Sequence, residues 1–221
     1  MRNKVLELKN VTASYKEGKE YKEVLKDVSF SIYEGEIVGL LGESGSGKTT
    51  LCKCILKLLK NVGGEVKHFT GNPQMIFQDP FGSLNPKKKI GWILEEPLKV
   101  GSVEKKVEWN GVEEVLSLVN LPMEFYHRYP RELSGGQRQR VSIALALITG
   151  TKLILADEPL SALDVTVQAQ IIQLLKRLQR EVGISILFVS HDVDVVADLC
   201  QRVLVLEEGK VQEVLDFRTG L

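Results

Sequence analysis

The eight residues Gly42-Glu43-Ser44-Gly45-Ser46-Gly47-Lys48-Thr49 fit the spacing G-x-x-x-x-G-K-[ST]. The apolar run EIVGLL precedes them and the helix-patterned run GKTTLCKCILKLLK follows. A glycine-rich turn between a strand and a helix frees backbone amides to wrap phosphate oxygens. Lys48 then reaches the outer phosphates, and the Thr49 hydroxyl supplies a hard oxygen ligand for Mg²⁺. The bland alternative is a glycine-rich turn with no ligand.

A second group of residues ends other apolar runs. KLILADEP closes with Asp157 and Glu158 after four apolar residues. Two adjacent acids there are costly unless used. Asp157 is placed to hold Mg²⁺, directly or through water, and Glu158 to take a proton from an attacking water. ILFVSHD ends on His191 and MIFQD on Gln78. Each alone is an ordinary surface residue; beside a phosphate loop, His191 can contact the γ-phosphate and Gln78 the metal or the lytic water. RELSGGQRQR poses another question. Ser134 is a good N-cap, yet Gly135 and Gly136 each weaken a first helical turn by roughly 1 kcal/mol relative to alanine. What remains is a bare array of amides at the positive end of a helix, which suits an anion.

The elements that must position these groups alternate in type. KVLELKNVT and VLKDVSFSIY read as strands with alternating apolar residues, antiparallel to one another. GEIVGLLG, QMIFQD, KLILAD, ISILFVSH and RVLVLEEGKV read as further strands. GKTTLCKCILKLLK, VEEVLSLVNL, QRQRVSIALALI and TVQAQIIQLLKRLQREVG read as helices. Fully apolar strands alternating with helices predict an α/β fold with a mostly parallel sheet covered on both faces. The stretch from about Pro80 to Pro130, bounded by prolines, reads as a helical insert.

The bulk numbers fit such a domain. The chain has 221 residues, 43% of them hydrophobic and 26% charged, with 29 basic and 29 acidic residues. That balance shows no overall basic footprint for nucleic acid. The odd count of three cysteines, Cys52, Cys54 and Cys200, argues against a disulfide framework. Cys52-x-Cys54 reads as two thiols on a helix rather than a metal site, because no second ligand pair is visible. The charged start MRNKVLELKN does not read as a signal peptide, and the longest apolar run, IALALI, is far shorter than the ~20 residues of a membrane span. The expectation is a chain that meets a membrane only through a partner.

In this order the motifs resemble the nucleotide-binding subunits of ABC transporters over nearly the whole length. GESGSGKTT, through Thr50, looks like Walker A and LILADE like Walker B; Gln78 falls on the Q-loop and His191 on the switch histidine. LSGGQ, ending at Gln137, looks like the family signature, SALD, ending at Asp164, like the D-loop, and Tyr15 like the aromatic that stacks on adenine. An ordinary strand tyrosine is the other reading of Tyr15. The resemblance implies one P-loop NTPase cassette over 1–221, with a core of about 1–79 and 134–221 and a helical subdomain of about 80–133. It implies ATP and Mg²⁺ as cofactors, with Glu158, His191 and Gln78 catalytic. Two cassettes then pair head to tail, so that the Ser134–Gly136 amides cap the γ-phosphate held by the other subunit.

FQDPFGSLNPKKKIGWILEEPL, YPRELSGGQRQRV and DEPLSALDVTVQAQIIQLLKRLQ are similar to the ATPases of dipeptide, oligopeptide and nickel importers. This implies a paralogous ATPase or second copy, two permeases and an external binding protein, at the cytoplasmic face of the membrane. The insert is then the permease contact, with Gln78 as its hinge. The alternative is a soluble ABC ATPase acting on nucleic acid or ribosomes; the coiled coils, zinc modules or second cassette of such proteins are not seen. The chain departs from the pattern in a short segment between Lys48 and Gln78, in Leu145 where arginine is usual, and in reading only to Leu221, short of the C-terminal extension of many peptide-importer ATPases, so regulation through such a tail is not expected from these residues. NPKKK, residues 85–89, reads as a solvated basic run or as a contact with permease or lipid headgroups.

Overall fold

The computed structural model describes residues 2–99 and 111–216. Positions 100–110 of the predicted insert and the C-terminal Leu221 lie outside the described residues.

Among the described residues there are two sheets. β1 (Lys4–Glu17) and β2 (Glu20–Tyr33) pair antiparallel across a turn at Gly18, as their alternating patterns predict. The central sheet uses β3 (Ile37–Leu41), then α1 (Lys48–Ile55) crosses away. β4 (Val62–His68) completes the small sheet in the order β2-β1-β4. β5 (Gln74–Ile76) returns to the central sheet. Between β5 and the next strand the described chain is helical: α2 (Pro80–Ser83), α3 (Ile90–Lys99), α4 (Val112–Leu118), 3₁₀ turns at Met123–His127 and Pro130–Glu132, and α5 (Gly135–Leu147). β6 (Leu153–Asp157), α6 (Val165–Val182), β7 (Ser185–Val189), α7 (Val193–Leu199), β8 (Arg202–Glu207) and β9 (Lys210–Asp216) finish the fold. The central order is β5-β6-β7-β3-β8-β9, parallel except for β9.

The apolar strands are continuous because both sheet faces are covered. Alternate residues go to opposite sides: Ile154, Ala156, Ile186 and Phe188 pack with α5, α6 and the helical insert. Leu153, Leu155, Leu187 and Val189 pack with α1 and the small antiparallel sheet. This is the period-two alternation of a strand with two apolar faces.

Three of the elements read from the sequence differ in the structure, and that reading contains neither β4 nor α7. The helix expected over 47–60 stops at Ile55. Lys57 takes a left-handed conformation (φ 57°), and Leu58 N donates to Lys53 O and Lys57 N to Cys54 O, the paired bonds of a Schellman stop. RVLVLEEGKV is a hairpin rather than one strand, turning at Glu208 and Gly209 (φ 48° and 79°), the two positive values that a tight two-residue turn needs. QMIFQD holds only three strand residues, so Gln78 stands on the loop beyond β5.

A buried ion pair ties the layers together. Glu36 and Arg202, 0% and 5% exposed, meet through Arg202 Nε to Glu36 Oε1 at 3.0 Å and Nη2 to Oε2 at 3.2 Å. Arg202 also donates to Ser31 O of β2. Cys52, Cys54 and Cys200 are all buried free thiols. Burial pushes Cys54 up to about 11 and Cys200 up to about 12. Neutral thiols of this kind are inert.

Candidate functional site

The parallel strands β3, β5, β6 and β7 deliver their C-terminal ends to one edge, and the loops leaving that edge carry the chemistry. The loop after β3 is shaped by its glycines. A Cβ on Gly42 would stand 2.5 Å from Leu206 O, and Gly47, the N-cap of α1, has φ 109°. Neither position accepts a side chain without strain. Lys48 is 7% exposed, and its Nζ donates to Gly42 O at 2.6 Å and Glu43 O at 2.9 Å, holding the ammonium at the loop.

One cleft gathers Ser44, Gly45, Gly47, Lys48, Thr49, Thr50, Gln78, Asp157 and Glu158. Thr49 Oγ1 donates to Asp157 Oδ2 at 2.8 Å, so two of the three proposed metal ligands are adjacent, with Gln78 lining the same cleft. Burial, joined by the like charge of Glu158, raises the Asp157 carboxyl above its ordinary range against the pull of the Thr49 hydrogen bond. A buried carboxylate of raised basicity beside a hydroxyl is a hard-oxygen pair that fits Mg²⁺. Glu158 follows in a left-handed conformation, φ 46°, uncommon for a residue with a side chain. Its amide donates to Val189 O at 3.0 Å, which fixes that turn against β7. Gln78 Nε2 donates to Glu158 Oε2 at 3.4 Å, and His191 Nδ1 lies 3.3 Å from Glu158 Oε1.

The remaining candidates take four other places. Tyr15 OH is 3.4 Å from Thr50 Oγ1, at the start of α1. Gly42, Glu43 and Ser46 also line a neighbouring cavity against Val205–Glu208. Ser134 caps α5 as its residue type predicts: Gln137 N donates to Ser134 Oγ at 3.3 Å and Ser134 N to Gln137 Oε1 at 2.9 Å, a complete capping box. Gly135 and Gly136 have a packing reason beside the expected amide array: a Cβ on Gly136 would stand 2.5 Å from Val167 Cγ1 of α6. Asp164 is the N-cap of α6 and accepts from Val167 N at 3.0 Å.

Residues 25–161 match the family model described as ABC transporter. The chain belongs to that family. The cassette is 43% identical over 231 residues to the oligopeptide transport ATP-binding protein OppF of Streptococcus mutans, covering 96% of this chain and 75% of that one. OppF of Bacillus subtilis is 40% identical over 232 residues, covering 97% and 76%. Among solved structures, a dimeric post-hydrolysis state of the ATP-binding cassette MJ0796 bound to ADP and Pi superposes with a TM-score of 0.82 at 34% identity, covering 97% of this chain and all of that one. The cassette is an ATPase of this family, with the α/β architecture read from its motifs.

Sequence reasoning missed two features of the cassette's site. Val24 of β2 lines the phosphate cleft, and a strand valine carries no signal of that. Ser134, Gly136 and Gln137 share a separate cavity with Arg128, Arg140 and Gln170. The arginines stood in view beside LSGGQ, but only the packing of α5 on α6 shows that they surround its N-terminus.

Proposed function

We propose that the cassette hydrolyses ATP to drive a peptide importer, working as a pair of cassettes beneath two permeases at the cytoplasmic face of the membrane. The observation that carries this reading is the separation, within one chain, of the cleft around Lys48 from the capped helix end at Ser134. Each is half of a phosphate site: a cationic loop on one side, a positive helix end on the other. Head-to-tail pairing with a paralogue or a second copy joins the halves. The peptide cargo rests on the names of the OppF relatives; nickel is the other cargo of the resembled importers, and an external binding protein would deliver either.

In this reading Lys48 and the loop amides hold the β- and γ-phosphates, and Tyr15 packs on the adenine. Thr49, Asp157 and Gln78 would hold Mg²⁺, which neutralises charge on the phosphate oxygens when bound. Glu158 accepts the proton of the attacking water, with His191 and Gln78 orienting its two oxygens. Asp164 steadies the start of α6 at the dimer face. The helical subdomain, about 80–133, meets the permease, with Gln78 as its hinge. A groove beside that hinge is lined by Phe77, 49% exposed, Met75, Ser142 and Leu145 of the core and by Ser83 of the subdomain.

ATP turnover by the isolated cassette, compared with turnover after adding the paralogous subunit and permeases, tests the proposal. A strong rise on assembly is expected. An isolated chain as fast as the full complex would sink the shared site.

A further inference from the structure

We propose that the turn before α3 is a docking surface for the anionic headgroups of the membrane, separate from the permease groove. Lys87, Lys88 and Lys89 are all exposed and follow one another on this turn. The turn is fixed rather than loose. Lys87 N donates to Asn85 Oδ1 and Lys88 N to Asn85 O, both at 3.1 Å, and Ile90, fully buried, donates its amide to Arg128 O at 2.9 Å. That last bond sets the lysines beside the strip Arg128–Arg131.

Aromatic rings underlie the cations. Lys88 Nζ sits 4.4 Å from the ring centre of Trp92, which is 36% exposed. Lys89 and Arg131 both stack on Tyr129, at 5.9 and 5.4 Å. Cation–π contacts of this kind hold the ammonium groups outward at little cost in hydration. The acids nearby are largely engaged: Glu132 accepts from Tyr129 N at 2.6 Å, Glu124 pairs with Arg128 at 2.5 Å, and Glu95 pairs with Lys99 at 2.8 Å. Glu96, exposed one turn beyond Trp92, works against the patch. Four cations against these acids leave a local positive excess on a chain of zero net charge.

The residue types favour a lipid surface over an acidic protein. Three of the four cations are lysine, a hydrated point charge without the planar fork that reads a defined carboxylate. Trp and Tyr are the rings that settle at a membrane interface, apolar body inward and polar edge wet. Each basic residue adds about 1 kcal/mol of attraction to an anionic leaflet, roughly fivefold in affinity. The inference rests on the proposed placement at the membrane, but its test needs no permease.

The full chain is floated with vesicles of phosphatidylglycerol and phosphatidylcholine, and with phosphatidylcholine alone. A Trp109→Phe background leaves Trp92 as the fluorescent reporter, since the chain has two tryptophans. Binding with a blue shift on the anionic vesicles alone is expected, fading from ~0.01 M to ~1 M salt as the screening length falls from ~30 Å to ~3 Å. Changing Lys87, Lys88 and Lys89 together to Gln should weaken binding about 10²-fold and leave the basal ATPase rate unchanged, whereas the triple Arg variant should keep binding. Equal binding to both vesicle types, no binding to either, or full binding by the Gln variant would overturn the proposal. Capture of poly-glutamate without vesicle binding would assign the patch to an acidic protein instead. Absence of vesicle binding by the unmodified chain, with its permease-stimulated ATPase intact, would refute this surface and leave the importer reading standing.

Discussion

Glu158 Oε1 lies 3.3 Å from His191 Nδ1, while Glu158 Oε2 accepts from Gln78 Nε2 at 3.4 Å. One carboxylate thereby links the loops that follow β5, β6 and β7. Its backbone sits at φ 46°, a conformation worth its strain only where the surroundings and the chemistry require that direction.

Glu158→Gln should keep these contacts and lose the proton acceptor. Turnover in the assembled complex should fall about 10²–10⁴-fold while ATP binding persists. The paired, nucleotide-bound state should then accumulate on a sizing column. Near-normal turnover would remove Glu158 from the role and move it to His191.

Lys48→Ala should do the reverse, abolishing ATP binding and pairing together. Its ammonium is the cation that the loop carbonyls of Gly42 and Glu43 hold in the cleft. Equilibrium binding of a fluorescent ATP analogue reads the loss directly; retained affinity would show that the loop amides suffice.

Asp157 titrates above its ordinary range because it is buried, with Glu158 adding to the rise. A raised acid binds protons better folded than unfolded. The metal-free cassette therefore loses stability as pH climbs from the ordinary carboxylate value through the raised one. Asp157→Asn should raise the melting temperature at neutral pH without Mg²⁺ and flatten that pH dependence. With Mg²⁺ and ATP present the ranking should invert. A lower melting point for the metal-free variant would mean that the Thr49 bond outweighs the desolvation.

Gly136→Ala should destabilise by about 1–3 kcal/mol, although alanine is the better helix former, because its Cβ would press on Val167 Cγ1 at 2.5 Å. Gly135→Ala meets only Leu163 Cδ2 at 3.3 Å and should cost less. Adding Val167→Ala should recover much of the Gly136→Ala loss. Thermal melts of the three variants decide it; no recovery would place the defect elsewhere than at the α5–α6 contact.

Arg202→Met should cost about 3–5 kcal/mol, since it strands Glu36, which is 0% exposed, without its countercharge. Adding Glu36→Gln should restore part of the loss. Urea unfolding of the single and double variants measures both, and a loss under ~1 kcal/mol would show that the remaining partners of Glu36 carry it.

The sequence by itself determined whatever is local along the chain. The phosphate loop is a strand, a glycine turn and a helix in succession, and Ser134 with Gln137 closes its capping box within four residues. The fully apolar runs fixed a two-sided sheet through period alone. Local stops were less legible: the helix ending at Ile55 uses a lysine where glycine is the usual signal, and Glu208–Gly209 turns a run that reads as one strand. Only the tertiary structure decided which distant groups meet. Thr49 and Asp157 bond across 108 positions, Glu36 and Arg202 across 166. Strand order and register set those pairings, because parallel crossovers bring separate strand ends to one edge whatever their spacing in sequence. The same geometry keeps Ser134 away from Lys48 in one chain: α5 packs its N-terminus against α6, while the phosphate loop opens at the end of β3.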